Sequence, residues 1–320
     1  MHLLVTGGGG FIGSHLVERL VRDGHRVRVI DNFTTGHRRN LQSFLDDIEL
    51  VEGDLQSYER ASAAVRGCEI VLHQAAMPSV PRSVQDPLTS NAANVIGTLN
   101  VLLAARDSGV RRVVFASSSS VYGSVPDLPK REELPTLPIS PYAVAKLASE
   151  GYCRSFTEVY GLETVALRYF NVFGARQDPL SQYAAVIPNF ITAALRGESP
   201  TIFGDGEQSR DFTYVDNVVE GNVLAMSASG VVAGRAYNVA CGDRITLNEL
   251  VATIGRVLGR AIEPRYEAPR PGDVRHSMAD TTRAREDFGF EPVVGFEEGL
   301  ARTVRYYTEA SEAAAAAAVS

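Results

Sequence analysis

Tyr142 and Lys146 are the residues of this sequence whose types and spacing most directly suggest catalysis. They lie four residues apart at the predicted start of a helix, so their side chains project from one face, a turn apart. A phenol with an ordinary pKa of about 10 is a poor base at neutral pH, but a neighbouring ammonium group favours the phenolate. The pair could therefore remove a proton from a substrate hydroxyl.

Four consecutive hydroxyl residues, Ser117–Ser120, follow an apolar segment at 112–116 that is typical of a strand. Ligands of open α/β sheets bind at the carboxyl ends of strands, so one hydroxyl of this run could contact a substrate. Ser119 and Ser120 are equally consistent with turn hydroxyls that bind the local backbone. A proline-rich loop over residues 126–141 separates the serines from Tyr142, and loops of this length are usually functional.

Another candidate site lies near the start of the chain, where the apolar segment Leu3–Thr6 runs into a glycine-rich turn and then a helix. Residues without a Cβ let backbone amides approach a pyrophosphate, and the helix N-terminus at Phe11 and Ile12 offers positive charge to the same group. The next predicted strand ends on Asp31, at the spacing of an acid that holds an adenosine ribose. The glycines with these roles are Gly7, Gly10 and Gly13.

This pattern predicts a dinucleotide site that prefers NAD. A carboxylate at position 31 would accept hydrogen bonds from ribose hydroxyls and would repel the 2′-phosphate of NADP. An oxidised nicotinamide near Tyr142 would act with Lys146 to favour the phenolate. Hydride could then leave the carbon whose hydroxyl loses its proton to Tyr142.

The alternation of strands and helices predicts an α/β fold, a Rossmann doubly wound parallel sheet. Predicted strands at 3–6, 27–30, 48–52, 70–74, 112–116 and 164–169 alternate with predicted helices at 11–23, 58–65, 88–108 and 142–160. We expect residues 1–170 to form the NAD-binding domain with the catalytic residues. Residues 171–310, with turn-rich short elements, should form a smaller α/β substrate-binding region that returns one or two elements to the sheet, and the alanine-rich 311–320 a frayed or disordered tail.

Composition excludes some classes of partner. The net charge of −7 over 320 residues argues against a general binder of nucleic acid or of anionic membranes. A strand begins close to the N-terminus and no apolar run approaches about 18 residues, so we expect a cytoplasmic protein without a membrane span. Cys68, Cys153 and Cys241 lack metal-ligand spacing with any histidine, so we expect reduced thiols and no metal site.

The chain resembles the extended short-chain dehydrogenases/reductases of the nucleotide-sugar epimerase/dehydratase type. The resemblance spans Leu3 to about Tyr307 and rests on several motifs in the same order. These are Gly7-x-x-Gly10-x-x-Gly13, Asp31-Asn32, Asp54-Leu55, His73-x-Ala75-Ala76, Ser118, Tyr142-x-x-x-Lys146, Leu167-Arg168-Tyr169-Phe170-Asn171, Arg210-Asp211-Phe212 and Arg270-x-Gly272-Asp273.

The resemblance assigns roles to individual positions. It implies that Ser118 hydrogen-bonds the reacting hydroxyl, that Tyr142 is the base and that Lys146 holds the nicotinamide ribose. It implies cofactor contacts at Asn32, Asp54, Leu55, Ala75, Ala76, Asn94 and Phe170. Arg210 and Arg270 would bind the diphosphate of a nucleotide sugar, Asn171 the same end of the substrate, and Asp273 the uridine ribose. Further substrate-binding positions are Ser79, Ser119, Gln177, Ala185, Val186 and Ser277.

The reaction that this resemblance favours is 4-epimerisation. Dehydratases of the family carry an Asp-Glu pair where this chain has Ser119 and Ser120, and the similar decarboxylating members have glutamate at position 120. Without those carboxylates, elimination has no evident proton carrier. Oxidation at C4, rotation of the 4-keto sugar and return of hydride remain, with NAD as a true catalyst.

For the sugar, the chain is most similar to bacterial UDP-N-acetylglucosamine 4-epimerases. Ser277 occupies a position that is tyrosine in epimerases restricted to glucose and galactose, and its small size leaves room for an N-acetyl group; Met77, however, stands where that type has a small residue. UDP-glucuronate 4-epimerases are an alternative, although those compared have threonine in place of Asn171. A nucleotide-sugar 4,6-dehydratase and an inactive NAD- and UDP-sugar-binding sensor are further alternatives.

The resemblance also implies a homodimer in which helices 88–108 and 142–160 pair with their copies. The apolar residues that we expect at this interface are Val95, Leu99, Leu102, Leu103, Phe156 and Val159.

Overall fold

A computed structural model describes residues 1–179, 185–269 and 275–319. Its strands are β1 (His2–Thr6), β2 (Arg26–Asp31), β3 (Ile48–Glu52), β4 (Ile70–His73), β5 (Arg112–Ser118), β6 (Glu163–Tyr169), β7 (Val172–Phe173), β8 (Thr201–Phe203), β9 (Ser209–Arg210), β10 (Thr213–Tyr214), β11 (Arg235–Val239), β12 (Ile245–Thr246) and β13 (Arg265–Glu267). Its α-helices are α1 (Phe11–Arg22), α2 (Tyr58–Val65), α3 (Val80–Gln85), α4 (Pro87–Asn91), α5 (Gly97–Asp107), α6 (Pro141–Tyr160), α7 (Val186–Leu195), α8 (Val215–Ser227), α9 (Leu247–Leu258), α10 (Thr282–Phe288) and α11 (Phe296–Val319).

The main sheet confirms the predicted doubly wound α/β fold. Its strand order is β11-β6-β5-β4-β1-β2-β3, and each neighbouring pair is parallel. Parallel strands buried on both faces need continuous apolar runs, which β1, β4 and β5 have. The carboxyl ends of these strands share one edge of the sheet, where ligands of such folds bind.

Helices cover both faces of this sheet. Helices α1, α8 and α10 pack on one face, in a core that includes Leu16, Val218 and Ala284. Helices α2, α5 and α6 cover the other face, in a core that includes Ala64 and Leu102. The region after residue 170 therefore supplies β11 to the edge of the sheet and α8 and α10 to one face, in line with the expectation that it returns elements to the sheet.

The rest of the C-terminal region has its own core, built around α7, α9 and α11. Short strands form three pairs there: β10 with β7, β12 with β9, and β13 with β8. Helix α11 continues to Val319, so the segment predicted to be frayed or disordered is helical over its described part. The boundaries at 170 and 310 stay predictions.

The predicted helix at 88–108 is interrupted. Helix α4 ends at Asn91, residues Ala92–Ile96 form a π-helical turn, and α5 begins at Gly97. Taken together, Pro87–Asp107 is long and apolar enough by length and composition to cross a membrane, contrary to our reading of the sequence. Half of its most apolar window is buried inside the protein, as in a helix that packs against a sheet.

Most of the residues predicted for a dimer interface are not exposed on the surface of the protein. Val95, Leu102 and Phe156 are buried inside the chain, because the sheet-facing sides of these helices already use them. Leu99 and Leu103 are half-buried against the same core. Of the six, Val159 is exposed.

Candidate active site

The glycine turn after β1 packs so closely against neighbouring backbone that its glycines leave no room for side chains. Gly7 has a φ of +68°, and a Cβ there would lie 2.7 Å from the backbone of Ala75. A Cβ on Gly13 would lie 2.1 Å from the carbonyl oxygen of Gly7. Gly10 begins α1 without a side-chain cap, so the first N–H groups of the helix, at Phe11 and the residues after it, can bind an anion. These features fit the pyrophosphate of a dinucleotide.

Asp31, at the end of β2, faces this turn. Its Oδ2 accepts a hydrogen bond from the Gly9 amide at 2.8 Å, and its Oδ1 accepts one from the Phe33 amide at 2.7 Å. Burial raises the pKa of this carboxyl, while the amide donors oppose that rise. Asp31 thus holds the turn in shape as well as lying where an adenosine ribose is expected, a role that spacing alone did not show.

Asn32, Asp54 and Leu55 lie together beside Asp31. The Asn32 amide donates to Asp54 Oδ2 at 3.0 Å, which ties the end of β2 to the loop after β3. Leu55 is buried, and its carbonyl accepts from the Asn100 amide at 2.8 Å. Asn32 and Asp54, two of the predicted cofactor contacts, are therefore in direct contact.

Ala75 and Ala76 follow β4 and are held by a buried chain of hydrogen bonds. The Ala75 amide donates to Thr6 Oγ1 at 3.1 Å, and Thr6 Oγ1 lies 2.7 Å from Nδ1 of His73. His73 Nε2 lies 3.0 Å from Thr98 Oγ1, which donates to the carbonyl of Asn94 at 2.6 Å. Burial, with the nearby charge of Lys146, lowers the pKa of His73 to about 3, so the ring is neutral.

The π-helical turn places Asn94 against the same loop. Its Oδ1 accepts from the Met77 amide at 2.9 Å, and its Nδ2 donates to the Met77 carbonyl at 3.2 Å. Its main-chain carbonyl also accepts from Ser149 of α6 at 3.1 Å. Asn94 therefore joins Met77 to the helix that carries Tyr142.

Ser118, Tyr142 and Lys146 meet at the carboxyl end of β5. The Ser118 hydroxyl interacts with the Tyr142 phenol and favours its ionised form. The Lys146 ammonium donates to the Ala116 carbonyl at 2.7 Å and lies 5.8 Å from the Tyr142 ring centre. Burial raises the pKa of Tyr142 to about 12 and lowers that of Lys146 to about 8. In the protein alone, burial thus outweighs the effect that we expected from the ammonium.

Ser83 anchors Tyr142 and was missed from the sequence. Ser83 is buried on α3, and its Oγ accepts from the Tyr142 amide at 3.1 Å while donating to the Val80 carbonyl at 2.7 Å. Ser140 caps α6 by accepting from the Ala143 amide at 3.2 Å. Ser79, a predicted substrate contact, begins α3 with a φ of +102°. No sequence motif marks Ser83, because its partner lies 59 residues away.

Glu150 and Arg168 form an ion pair beside the helix that carries Tyr142 and Lys146. Glu150 stands one turn beyond Lys146 on α6 and accepts from Ser117 Oγ. Its two carboxylate oxygens accept from Arg168 Nε at 2.9 Å and Nη2 at 2.8 Å. This bidentate pair is almost fully buried, so it fixes α6 against the ends of β5 and β6.

The predicted substrate residues gather where the C-terminal region meets the sheet. Asn171 has a φ of +32°, and its Nδ2 donates to the Asp211 carbonyl at 3.2 Å. Arg210 Nη1 donates to the carbonyls of Ser209 and Arg275 at 3.0 and 3.2 Å. The Ser277 amide donates to the Ser209 carbonyl at 3.0 Å, and Ser277 is half-buried. Arg270 and Asp273 lie outside the described residues.

The remaining predicted positions have varied surroundings. Phe170 is fully buried, with its ring centre 6.2 Å from that of Tyr122. Gln177 Nε2 donates to the Val172 carbonyl at 3.3 Å, and its Oε1 is buried without a protein partner. Ser119 and Ser120 form a 3₁₀ turn with the next two residues, and the Ser120 hydroxyl is likewise buried without a protein partner. Ala185 and Val186 begin α7.

Comparisons with known proteins agree with this arrangement. Residues 3–240 match the model of the NAD dependent epimerase/dehydratase family. The chain is 41% identical over 316 residues to a UDP-glucose 4-epimerase of Mycolicibacterium smegmatis, with 98% of this chain and all of that protein covered. It is also similar to two solved structures, each covering 97% of this chain with a TM-score of 0.92.

The first is the UDP-glucose 4-epimerase of Thermotoga maritima with UDP-glucose, 40% identical, of which the whole chain is covered. The second is a UDP-N-acetylglucosamine 4-epimerase of Methanobrevibacter ruminantium in complex with UDP-N-acetylmuramic acid, 43% identical, of which 98% is covered.

Proposed function

Because this chain belongs to the NAD dependent epimerase/dehydratase family, we propose that it interconverts UDP-N-acetylglucosamine and UDP-N-acetylgalactosamine, and also UDP-glucose and UDP-galactose, by inverting C4. Of the two similar solved structures, one is named a UDP-glucose 4-epimerase and the other a UDP-N-acetylglucosamine 4-epimerase, so each kind of sugar has support from one relative. The observation that carries it is the group at the end of β5: Ser118, Tyr142 and Lys146 lie together there, and positions 119 and 120 carry hydroxyls and no carboxylate.

The chain's own residues provide acid–base chemistry at one oxygen. Ser118 hydrogen-bonds the C4 hydroxyl of the sugar, and Tyr142 removes its proton and later returns it. Lys146, held by the Ala116 carbonyl, keeps its ammonium near the phenol and favours the phenolate. When bound, NAD supplies a positive charge beside that phenol and both accepts and returns the hydride of C4. Inversion requires only that the 4-keto sugar presents its other face before hydride returns.

Positions 119 and 120 argue against elimination. Expelling the C6 hydroxyl requires an acid, and removing the C5 proton requires a base beside Ser118. Both side chains there are serine, whose hydroxyl serves neither role well at neutral pH. Glu150 does not supply the missing carboxylate, because Arg168 and Ser117 already occupy it.

The N-acetyl sugar fits a pocket with a small residue at position 277. Ser277 is half-buried and its amide is fixed by the Ser209 carbonyl, so the backbone position of this wall is defined. Tyrosine there would fill space that a 2-acetamido group needs, whereas a plain hydroxyl needs less. The small side chain supports the larger substrate without excluding the smaller one.

We also propose that the protein is a homodimer. The interface would be formed by the exposed apolar side of α6, together with exposed apolar residues of α4 and of the π turn. Val144, Tyr152 and Val159 lie along one side of α6 and are exposed, as are Leu88 of α4 and Ile96 of the π turn. Val159 is 66% exposed and Leu88 82% exposed, an unusual amount for apolar residues on packed helices. A two-fold partner would bury this face with its own copy.

Isotope labels test the epimerase reaction directly. A substrate deuterated at C4 should yield both epimers with the label retained at C4, because the hydride removed there returns to the same carbon. In deuterium oxide, no deuterium should enter C5 and no 6-deoxy-4-keto sugar should form. Solvent deuterium at C5 or that product would identify a dehydratase instead. No conversion of any UDP-sugar by NAD-loaded protein would favour an inactive sensor.

A further inference from the structure

We propose that Asn238 is a positioning residue that sets the shape of the sugar pocket, and this inference rests on the proposed function. Asn238 lies on β11 and is fully buried. Its side chain joins two parts of the protein that are far apart in sequence. One is the 3₁₀ turn after Ser118, and the other is the 276–280 segment, which contains Ser277.

The side chain of Asn238 makes three hydrogen bonds to groups at this junction. Its Nδ2 donates to the carbonyls of Lys130 at 2.8 Å and Asp280 at 3.0 Å, and its Oδ1 accepts from the Tyr122 hydroxyl at 2.7 Å. Because carbonyls only accept, the amide nitrogen must face them, and Tyr122 must donate. The orientation of Asn238 is therefore fixed by its partners.

The bonds of Asn238 to Lys130 and Asp280 help to fix the position of Ser277. The Lys130 amide donates to the Met278 carbonyl at 2.7 Å, and the Asp280 amide donates to the Lys130 carbonyl at 2.9 Å. Asn238 binds both Lys130 and Asp280, so it holds this pair of strand-like segments together. Displacing Lys130 or Asp280 would displace the backbone on the C-terminal side of Ser277.

The other side of this junction leads to the catalytic base. Tyr122 ends the turn that starts at Ser119, and the Arg168 guanidinium lies 4.8 Å from its ring centre. Arg168 pairs with Glu150, one turn from Lys146 on α6. A polar path thus runs from the helix of the base through Tyr122 to Asn238.

Apolar contact reinforces the junction. Val121, Tyr122, Phe170, Ala240 and Ala279 form one buried cluster, so the 276–280 segment packs directly on the turn that follows Ser118. Without Asn238, the Lys130 carbonyl would keep the Asp280 amide as its donor, but the Asp280 carbonyl and the Tyr122 hydroxyl would each lose a hydrogen bond in a buried core. The 276–280 segment would then relax away from the turn, and Ser277 would move with it.

The test compares two substrates on one enzyme preparation. In Asn238→Ala, the ratio of kcat/KM for UDP-N-acetylglucosamine to kcat/KM for UDP-glucose should rise about tenfold. A less firmly held 276–280 segment would leave more space beside the sugar, and the smaller sugar would then make fewer contacts than the larger one. Tyr122→Phe removes a single donor, keeps the ring over which Arg168 lies, and should shift the ratio in the same direction but less. The ratio is unaffected by any inactive fraction, since that fraction cancels.

Asn217→Ala is the matched control. Asn217 is equally buried, donates to the Val294 carbonyl at 2.8 Å and to Cys241 Sγ at 3.5 Å, and accepts from the amides of Val293 and Val294, so none of these partners lies in the 276–280 segment. It should lower Tm as Asn238→Ala does and leave the ratio unchanged. An unchanged ratio in both Asn238→Ala and Tyr122→Phe, or a shift toward UDP-glucose, would overturn the inference.

Binding measurements separate this inference from the proposed function. If the wild-type protein converted neither sugar, the proposed function would fail, and calorimetric Kd values would still test Asn238. Asn238→Ala should then change the relative Kd of the two UDP-sugars while the Kd of UDP alone stays within about twofold. An equal change for UDP and both UDP-sugars would contradict the role in the sugar pocket.

Discussion

The hydroxyl of Thr6 and the ring of His73 lie 2.7 Å apart, and their hydrogen bond joins the strand before the glycine turn to its neighbour in the sheet. Thr98 Oγ1 donates its proton to the Asn94 carbonyl, so it accepts from His73 Nε2, which carries the ring proton. Nδ1 of the neutral ring then accepts from the Thr6 hydroxyl, while Thr6 Oγ1 accepts from the Ala75 amide. This series of hydrogen bonds requires a neutral imidazole. A protonated ring would direct a second N–H at the Thr6 hydroxyl, whose own proton would then lose its acceptor.

The first prediction follows from that neutral ring. The pKa of His73 is lowered to about 3 in the folded protein from an ordinary 6.5, so its contribution to stability is complete above pH 6.5 and is lost as pH falls toward 3. Between pH 6.5 and 5 this amounts to about 2 kcal/mol of unfolding free energy. Urea unfolding of wild type and His73→Gln across this range should give curves whose difference shrinks by that amount toward low pH.

The difference between the two proteins is the quantity to follow, because other groups titrate too. Burial raises the pKa of Asp211 to about 6, which favours the folded state as pH falls over part of the same range. Asp211 is present in both proteins, so its effect cancels. Parallel curves for wild type and His73→Gln would show that His73 titrates alike in both states.

The second prediction concerns Tyr142. Tyr142→Phe removes the hydroxyl that exchanges the proton and should lower kcat by about two to four orders of magnitude, with NAD still bound. Tyr58→Phe is the control, because the Tyr58 hydroxyl is at the surface and donates to Asp107 at 2.9 Å. Near-wild-type turnover in Tyr142→Phe would remove Tyr142 from the mechanism.

The third prediction concerns the width of the pocket. Ser277→Tyr should abolish conversion of UDP-N-acetylglucosamine and leave that of UDP-glucose largely intact, because added volume rejects only the ligand that needs the space. Ser277→Ala should keep both activities. Steady-state kinetics on the two sugars provides the check, and an equal loss of both activities would show that Ser277 is not the gate.

The fourth prediction concerns assembly. Light scattering at micromolar concentration should give twice the chain mass for wild type and a single chain mass for the double variant Val144→Glu, Val159→Glu, since each interface would bury four unpaired carboxylates. Val293→Glu, at a valine of similar exposure away from α6, should remain dimeric. A monomeric wild type would refute the dimer.

The sequence was sufficient for the features that depend on local pattern. Strands β1 to β6, the glycine turn and the Tyr142 helix follow from periodicity and short spacings, and the structure places each within a few residues of its predicted bounds. Strand β11 was expected only as one of the elements that the C-terminal region returns to the sheet, without bounds. The carboxyl-edge rule then brought Asp31 and Ser118 to the same edge of the sheet without any knowledge of distant contacts.

The features that were missed depend on contacts between residues far apart in the chain. Tyr122 meets Asn238 across 116 positions, and the Asp211 carboxylate accepts from the Ala279 amide across 68. The π turn at 92–96 contains Asn94, whose bonds to Met77 and Ser149 also join residues 17 and 55 positions apart. The exposed stripe on α6 was misassigned because apolar spacing alone does not show which side of a helix faces the sheet.

Strand β11 has a consequence for how the chain folds. Without it, β6 would become an open edge, and without α8 one face of the sheet would lose Val218 and Met226. Arg112 strengthens the dependence, since its buried guanidinium binds Glu163 on β6 and the carbonyls of Ala225 and Ala228 at the end of α8. A fragment ending at residue 170 would therefore be aggregation-prone, and we expect the residues before and after position 170 to unfold in one cooperative transition. New sugar preferences can thus arise by changing side chains in the cleft but not by exchanging one half as a module.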